Sequence, residues 1–312
     1  MVLEVVHETR YFYAAPVTLA HHVAHLRPLA DEWQRVLAHA LQIEPTPEPP
    51  AFGVDAEGNA IARFTLVQPH ETLLVRATSR VALAPRFAAL DAEAAPPWDG
   101  LVARLRYVAR GPFEPAIGYA QPSPYVPRIA ALRDYAAASF AAGRPVAAAA
   151  LDLMHRVHDD FEYRSESTEV DTPLAQAFEQ RSGVCQDFAH VMTGALRMQG
   201  VPTRYVSGYL RTQAPDGKAV MLGADASHAW VQVWCPGTPG VPADGWLDLD
   251  PTNDVVPSCG HVRVAVGRDY GDVAPLRGVI RGGGAHRLAV SVTTRRVGPL
   301  VASASPEGDR PP

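Results

Sequence analysis

Three cysteines in 312 residues are too few for a disulfide framework, so a reducing compartment is expected. No apolar run approaches the roughly 20 residues that cross a bilayer as a helix. The first residues, MVLEVVHETR, lack the basic segment and apolar core of a secretory signal. Lysine and arginine form no run, and a formal charge of -5 gives no electrostatic case for nucleic acid. These absences predict a soluble, cytoplasmic chain that binds neither membrane nor nucleic acid. What is present is an ordinary globular balance, 47% apolar and 20% charged, which excludes general disorder. The length exceeds one comfortable core and predicts two domains.

The first hundred residues are β-rich. Residues 2–13 have strand-like density and stop at Ala14-Ala15-Pro16; residues 33–43 alternate as a half-buried strand before Pro45. Asp55 to Asn59 is a turn signal between two apolar runs, 51–54 and 61–67, and residues 71–83 supply another strand. Strands joined by short turns predict an antiparallel sandwich or curled sheet. His21, His22 and His25 lack Cys or carboxylate partners at ligand spacing and are expected to be structural. Prolines punctuate 92–127, and helices follow at 130–142 and 146–160. His155 and His158 form an i, i+3 pair without a third ligand, expected on a solvated helix face. Polar residues 164–171 are expected as a surface loop near the helix described next, with a short helix at 175–180 between them. The expected domains are 1–110, β-sandwich-like; 111–145, a connecting helical segment; 146–300, catalytic; and 301–312, a disordered tail.

The chain is organised around residues 181–200, RSGVCQDFAHVMTGALRMQG. Phe188, Met192, Ala195 and Met198 are apolar at helical spacing, and Gly200 with Pro202 closes the segment. Cys185 therefore falls in the first turn of a helix about four turns long. Free backbone N–H groups and the helix dipole favour negative charge there, and the thiolate is the reactive form of cysteine. A buried, inert thiol fits the same segment equally well.

Residues 203–210 predict a strand, and a further short run is expected at 219–222. Residues 227–234 alternate, with His228, Trp230, Gln232 and Trp234 on one face; in 245–250, Trp246, Asp248 and Asp250 share a face. A hairpin centred near residue 239 would set His228 opposite Asp250 and Trp230 opposite Asp248, with Cβ atoms about 5 Å apart. A carboxylate there fixes the imidazole tautomer, and cysteine, histidine and aspartate make a nucleophile, base and orienter set. The competing reading is a core hairpin with a satisfied histidine.

Gly183-Val184-Cys185-Gln186-Asp187-Phe188-Ala189-His190, Ser227-His228-Ala229-Trp230 and Leu249-Asp250-Pro251-Thr252 resemble the three motifs of the transglutaminase-like superfamily. The segment 260–270, with Pro275-Leu276-Arg277-Gly278, is similar to the ends of its bacterial members, which carry an extra N-terminal β domain and are described as candidate cysteine proteases. The resemblance implies an α+β fold, a papain-like transglutaminase-type catalytic core preceded by an antiparallel β-rich N-terminal domain. It also implies Cys185 as nucleophile, His228 as base and Asp250 as orienting acid. The implied activity is thiol-dependent hydrolysis of a peptide, protein or other amide-containing substrate, without cofactor or metal; the alternatives are transamidation and a non-catalytic binding module. Animal transglutaminases use a tryptophan upstream of the cysteine. None lies between Trp98 and Cys185, which disfavours protein cross-linking.

Among other candidates, His190 points roughly 140° away from Cys185 around the helix, and Asp187 suits a first-turn dipole partner. The Cys185 backbone N–H and one of Gln180, Gln186 or Tyr163 could form an oxyanion hole. Cys235 and Cys259 have no such support, no acidic loop resembles a calcium site, and Gly282-Gly283-Gly284 is expected as a turn before a last strand at 288–294.

Overall fold

The computed structural model describes residues 1–165, 168–211 and 227–298. Its first element, β1 (Val2–Ala24), is a strand of 23 residues. It is followed by β2 (Gln34–Glu44), β3 (Ala51–Val54), β4 (Ala60–Leu66) and β5 (His70–Leu83). The β4–β5 hairpin runs along one edge of β1: β5 pairs with its first half and β4 with its second. β1 does not stop at Pro16, as the local break signal predicted. A register irregularity between Phe12 and Val17 absorbs the exposed Ala14-Ala15-Pro16, and the strand resumes beyond it.

The central part begins with α1 (Trp98–Arg104), a 3₁₀ turn (Pro115–Ala120) and α2 (Ala130–Ala137). Then come α3 (Val146–Asp160), β6 (Glu162–Tyr163), α4 (Leu174–Gln180), β7 (Ser182–Gly183) and α5 (Cys185–Met198). A four-stranded antiparallel sheet follows from β8 (Thr203–Leu210), β9 (His228–Trp234), β10 (Trp246–Leu249) and β11 (His261–Gly267), ordered β10-β9-β8-β11. Twelve consecutive residues of α5, Gln186 to Arg197, are buried, so it is a central helix rather than an amphipathic surface one. Phe188, Met192 and Leu196 of α5 share one core with Leu132 and Ala136 of α2, Leu153 of α3 and Val231 and Val233 of β9. That contact puts α2 in the core around α5, where the sequence suggested a connecting segment.

After β11 come α6 (Tyr270–Val273), β12 (Leu276–Gly282) and β13 (His286–Val297). Both strands pair antiparallel with the free edge of β1, completing a seven-stranded sheet. Residues 276–297 thus return to the N-terminal sheet instead of staying in the 146–300 unit expected from sequence. A strand as long as β1 presents two full edges, and the hairpin at the far end of the chain covers the second. Its turn is the glycine triplet, at φ of 94°, 84° and 62°.

The two sheets are joined through β11, the last strand of the smaller one. Gln34 donates to the Arg263 carbonyl at 2.7 Å and accepts from the Arg263 N–H at 2.8 Å. Asn59 makes the same pair of bonds with Val266, at 2.8 and 2.8 Å. These side chains replace the ladder partner that an edge strand lacks. The short run expected at 219–222 and the tail at 301–312 lie outside the described residues. Among the described residues, no helix is long and apolar enough to cross a membrane.

Candidate active site

Cys185 is the first residue of α5, half-buried, with its thiol directed at the Ser227 carbonyl at 3.9 Å. Gly183 is required just before it: a Cβ there would stand 2.5 Å from Asp187 Oδ2. That carboxylate accepts from the Val184 N–H at 2.8 Å and from Thr168 Oγ1 at 2.6 Å. Asp187 therefore closes the start of the helix, near the dipole role expected of it. Gln186 donates to the Val170 carbonyl at 2.9 Å. Thr168 and Val170, described residues of the expected surface loop, thus lie against α5.

His228 opens β9, and its Nε2 donates to Asp250 Oδ2 at 2.8 Å. His228 and Cys185 line the same cleft. The hairpin differs from the assumed register by two residues: Asp248 pairs with Gln232 and Leu249 with Val231. His228 and Asp250 are consequently diagonal neighbours, not directly opposed. An even shift preserves facing, so both side chains still point the same way and bridge the longer gap. Asp248, expected opposite Trp230, is held by Arg86 at 2.7 Å in a buried ion pair.

Asp250 has no exposed surface. Its Oδ2 accepts from His228, from His261 Nε2 at 2.9 Å and from Asn253 Nδ2 at 2.7 Å; its Oδ1 accepts from the N–H groups of Thr252 at 3.0 Å and Asn253 at 3.2 Å. Burial alone would raise its pKa, but hydrogen bonds to His228 and His261 and their charges hold the carboxyl well below the usual carboxylate range. For His228, burial lowers the pKa, while the bond to Asp250 and the attraction of Asp250 and Cys185 outweigh it, bringing it up to about 10.

The turn after Asp250 is tied down by α3: His155 Nδ1 bonds the Asp254 carboxylate and His158 Nδ1 the Thr252 carbonyl at 3.1 Å. His155 lies on the solvated face expected of it, at 54% exposed, and the pair also braces the loop that carries the acid. His190 is buried, accepts from the Tyr270 N–H at 3.2 Å, and is pushed down to about 4 by burial. It is a neutral packing residue. His21, His22 and His25 have separate partners: Thr65 Oγ1 for His21, the Phe64 ring for His22, Asp55 and the Ala274 carbonyl for His25.

His261, on β11, is the site residue that sequence reasoning missed. It lies 33 positions beyond His228 in the sequence, and nothing local distinguishes it from a strand residue. His228, Asp250 and His261 offer ligand atoms within 4.8 Å of one another, a spacing a metal ion could use. The same geometry is fully explained by two N–H donors on one carboxylate oxygen. Cys235 is fully buried and burial pushes its thiol far up.

A cleft of about 380 Å³ opens over Cys185 and His228. Of the three oxyanion-hole candidates, Gln180 does not line it, the Gln186 amide is engaged with Val170, and Tyr163 lines it. The Tyr163 phenol is raised by burial and then by the nearby Cys185. A larger cavity of about 600 Å³, between β1, β4 and β12, shares no lining residue with the cleft.

Two family profiles match: the bacterial transglutaminase-like N-terminal region over residues 3–82 and the transglutaminase-like superfamily core over residues 133–251. An uncharacterized protein of Mycobacterium tuberculosis is 39% identical over 284 residues, 88% of this chain and 86% of that one. A protein-glutamine gamma-glutamyltransferase of Pseudomonas aeruginosa is 34% identical over 134 residues, 42% of this chain and 19% of that one. Among solved structures, a candidate cysteine protease from Cytophaga hutchinsonii superimposes with a TM-score of 0.68 at 21% identity, covering 100% of this chain and 93% of that one. At that identity the likeness bears on the fold.

Proposed function

The chain belongs to the transglutaminase-like superfamily, with the N-terminal region of its bacterial members, and from that premise we propose that it is a thiol-dependent hydrolase of amide or peptide bonds. The observation that carries this reading is the His228 imidazole bonded to the buried Asp250 and facing the cleft that Cys185 also lines. With its pKa brought up to about 10, His228 is a cation at neutral pH and holds the proton that a departing amine needs.

The thiolate attacks the carbonyl carbon, and the resulting oxyanion is met by the Cys185 N–H and the Tyr163 hydroxyl. The intermediate collapses as the C–N bond breaks, and His228 gives its proton to the departing amine. A thioester remains. Water then attacks it, His228 takes the proton of that water, and the carboxylic acid leaves as the thiolate is restored. Asp250 holds the ring orientation and its charge throughout.

The similarity to a protein-glutamine gamma-glutamyltransferase supports a second reading, in which an amine rather than water resolves the thioester. Supplying a primary amine to the acylated enzyme separates the two: hydrolysis yields the acid whatever the amine concentration, and transamidation yields an amide that rises with it.

The primary test is intact-mass analysis after brief iodoacetamide treatment, comparing wild type, His228→Ala and Cys185→Ala from pH 5 to 9. One rapid adduct on Cys185 below pH 7, slowed in His228→Ala, supports the ion pair. Slow labelling shared among the three cysteines and indifferent to His228 would make the protein a binding domain.

A further inference from the structure

The cleft is not built by the catalytic core alone. On β1 and β13, Thr9 pairs with Val290 and Tyr11 with Leu288, so these four side chains point to one face. That face lines the same cleft as Cys185 and His228, together with Leu276 of β12. The N-terminal sheet therefore forms a wall of the catalytic cleft. The second edge of β1, covered by the returning hairpin, is what completes it.

The wall has a consistent chemistry. Leu288 and Val290 are 49% and 46% exposed, large apolar side chains held at the cleft rather than in a core. Tyr163 and Tyr270 line the same cleft from the catalytic core. Among the described residues, no Asp, Glu, Lys or Arg lines it. His7, also on the wall, is bonded to Thr9 and Tyr209 and is held neutral by burial, which pushes it down to about 4. Apart from His228, already paired with Asp250, a charged substrate side chain entering here would lose water and gain no partner, which is unfavourable. An aromatic or long aliphatic one would bury apolar surface against apolar surface.

We propose that the wall formed by Tyr11, Leu276, Leu288 and Val290 selects the acyl donor, and that this donor carries a large uncharged aromatic or aliphatic side chain next to the carbonyl that Cys185 attacks. The assignment rests on the reading of Cys185 as an activated nucleophile. It makes the N-terminal sheet the part of the molecule that chooses the substrate.

The test uses the whole protein and N-acetyl aminoacyl fluoromethyl ketones bearing Phe, Leu, Asp or Lys, with iodoacetamide as a probe too small to use the wall. In each case the sulfur displaces the halide: a C–S bond forms, the carbon–halogen bond breaks, and halide leaves. Wild type should be alkylated at Cys185 at least tenfold faster by the Phe and Leu probes than by the Asp and Lys probes. With each rate taken relative to iodoacetamide on the same protein, Leu288→Lys, at an exposed position, should lose most of the Phe preference and speed the Asp probe severalfold. Rapid iodoacetamide labelling with equal rates for all four probes would overturn the selectivity proposal and leave the nucleophile standing. A Phe preference unchanged by Leu288→Lys would overturn the assignment to this wall. Slow iodoacetamide labelling would overturn the nucleophile, and the proposal with it.

Discussion

Asp250 accepts hydrogen bonds from His228, His261, Thr252 and Asn253 while having no exposed surface. Such an acid is fixed in position and in charge. Asp250→Asn should therefore keep the shape, impose the wrong imidazole tautomer and lower turnover by about 10⁴-fold, the scale seen when a triad aspartate is so changed. His261 bonds Asp250 and does not line the cleft, so a positioning role is the one to test. Losing a hydrogen bond to a charged group costs about 1.5–3 kcal/mol. His261→Ala should accordingly slow Cys185 alkylation by about tenfold or more at pH 7, and His261→Gln, whose amide can still donate, should recover part of it. Equal rates in all three proteins would leave His261 a packing residue.

The pH dependence follows with its sign. The pKa of His228 is about 10 in the folded protein, above its unfolded value of about 6.5. Its contribution to stability is thus fully present below about pH 6.5 and fades as pH rises toward 10. Asp250 is shifted down, so its contribution is present above the ordinary aspartate range and is lost as pH falls below it. Urea denaturation should show the stability gap between wild type and His228→Ala to be widest near pH 6 and narrowing toward pH 10.

At the scale of the element, α5 was the most legible part of the chain. Its boundaries are written in Gly183, Gly200 and Pro202, and each has a local physical reason. Gly200 has φ of 85° and ends the helix in the left-handed region. Gly183 tolerates no Cβ because the Asp187 carboxylate occupies that place. Gly183→Ala should push Asp187 off the Val184 N–H, destabilise the protein by about 1–3 kcal/mol, and slow Cys185 labelling; unchanged values of both would show that the turn adapts. The strands at 203–210 and 228–234 were equally plain, since their alternation is local. Less legible were features set by partners far away in sequence. Pro16 reads as a stop, yet a strand paired on both edges carries its bulge. The hairpin register was missed by two residues because the Pro/Gly loop between 235 and 245 fixes its centre, and only facing survives such an error. His261 and the return of β12 and β13 depend on pairings with no sequence periodicity of their own.

For the whole molecule, the question is what holds the N-terminal sheet in place as a wall of the cleft. The bonds of Gln34 and Asn59 to β11 are one part, and the Arg86–Asp248 pair is another. Arg86 follows β5, and its guanidinium reaches Asp248 of β10 at 2.7 Å while packing over Trp33 and Phe87. Both side chains are almost fully buried, at 5% and 3% exposed. A pair in that setting adds little net stability, because desolvating two charges offsets their attraction, but losing one partner strands the other. Arg86→Ala should therefore cost about 3–5 kcal/mol, measured by urea denaturation, through the unpaired Asp248. Replacing both, as Arg86→Met with Asp248→Leu, should recover most of that loss. Stability and selectivity then separate: if the pair serves as an orienting tie, the double variant regains the urea midpoint but discriminates less among the acyl probes at Cys185. If it regains both, packing alone sets the wall, and the ion pair has no share in where the sheet stands relative to the thiol.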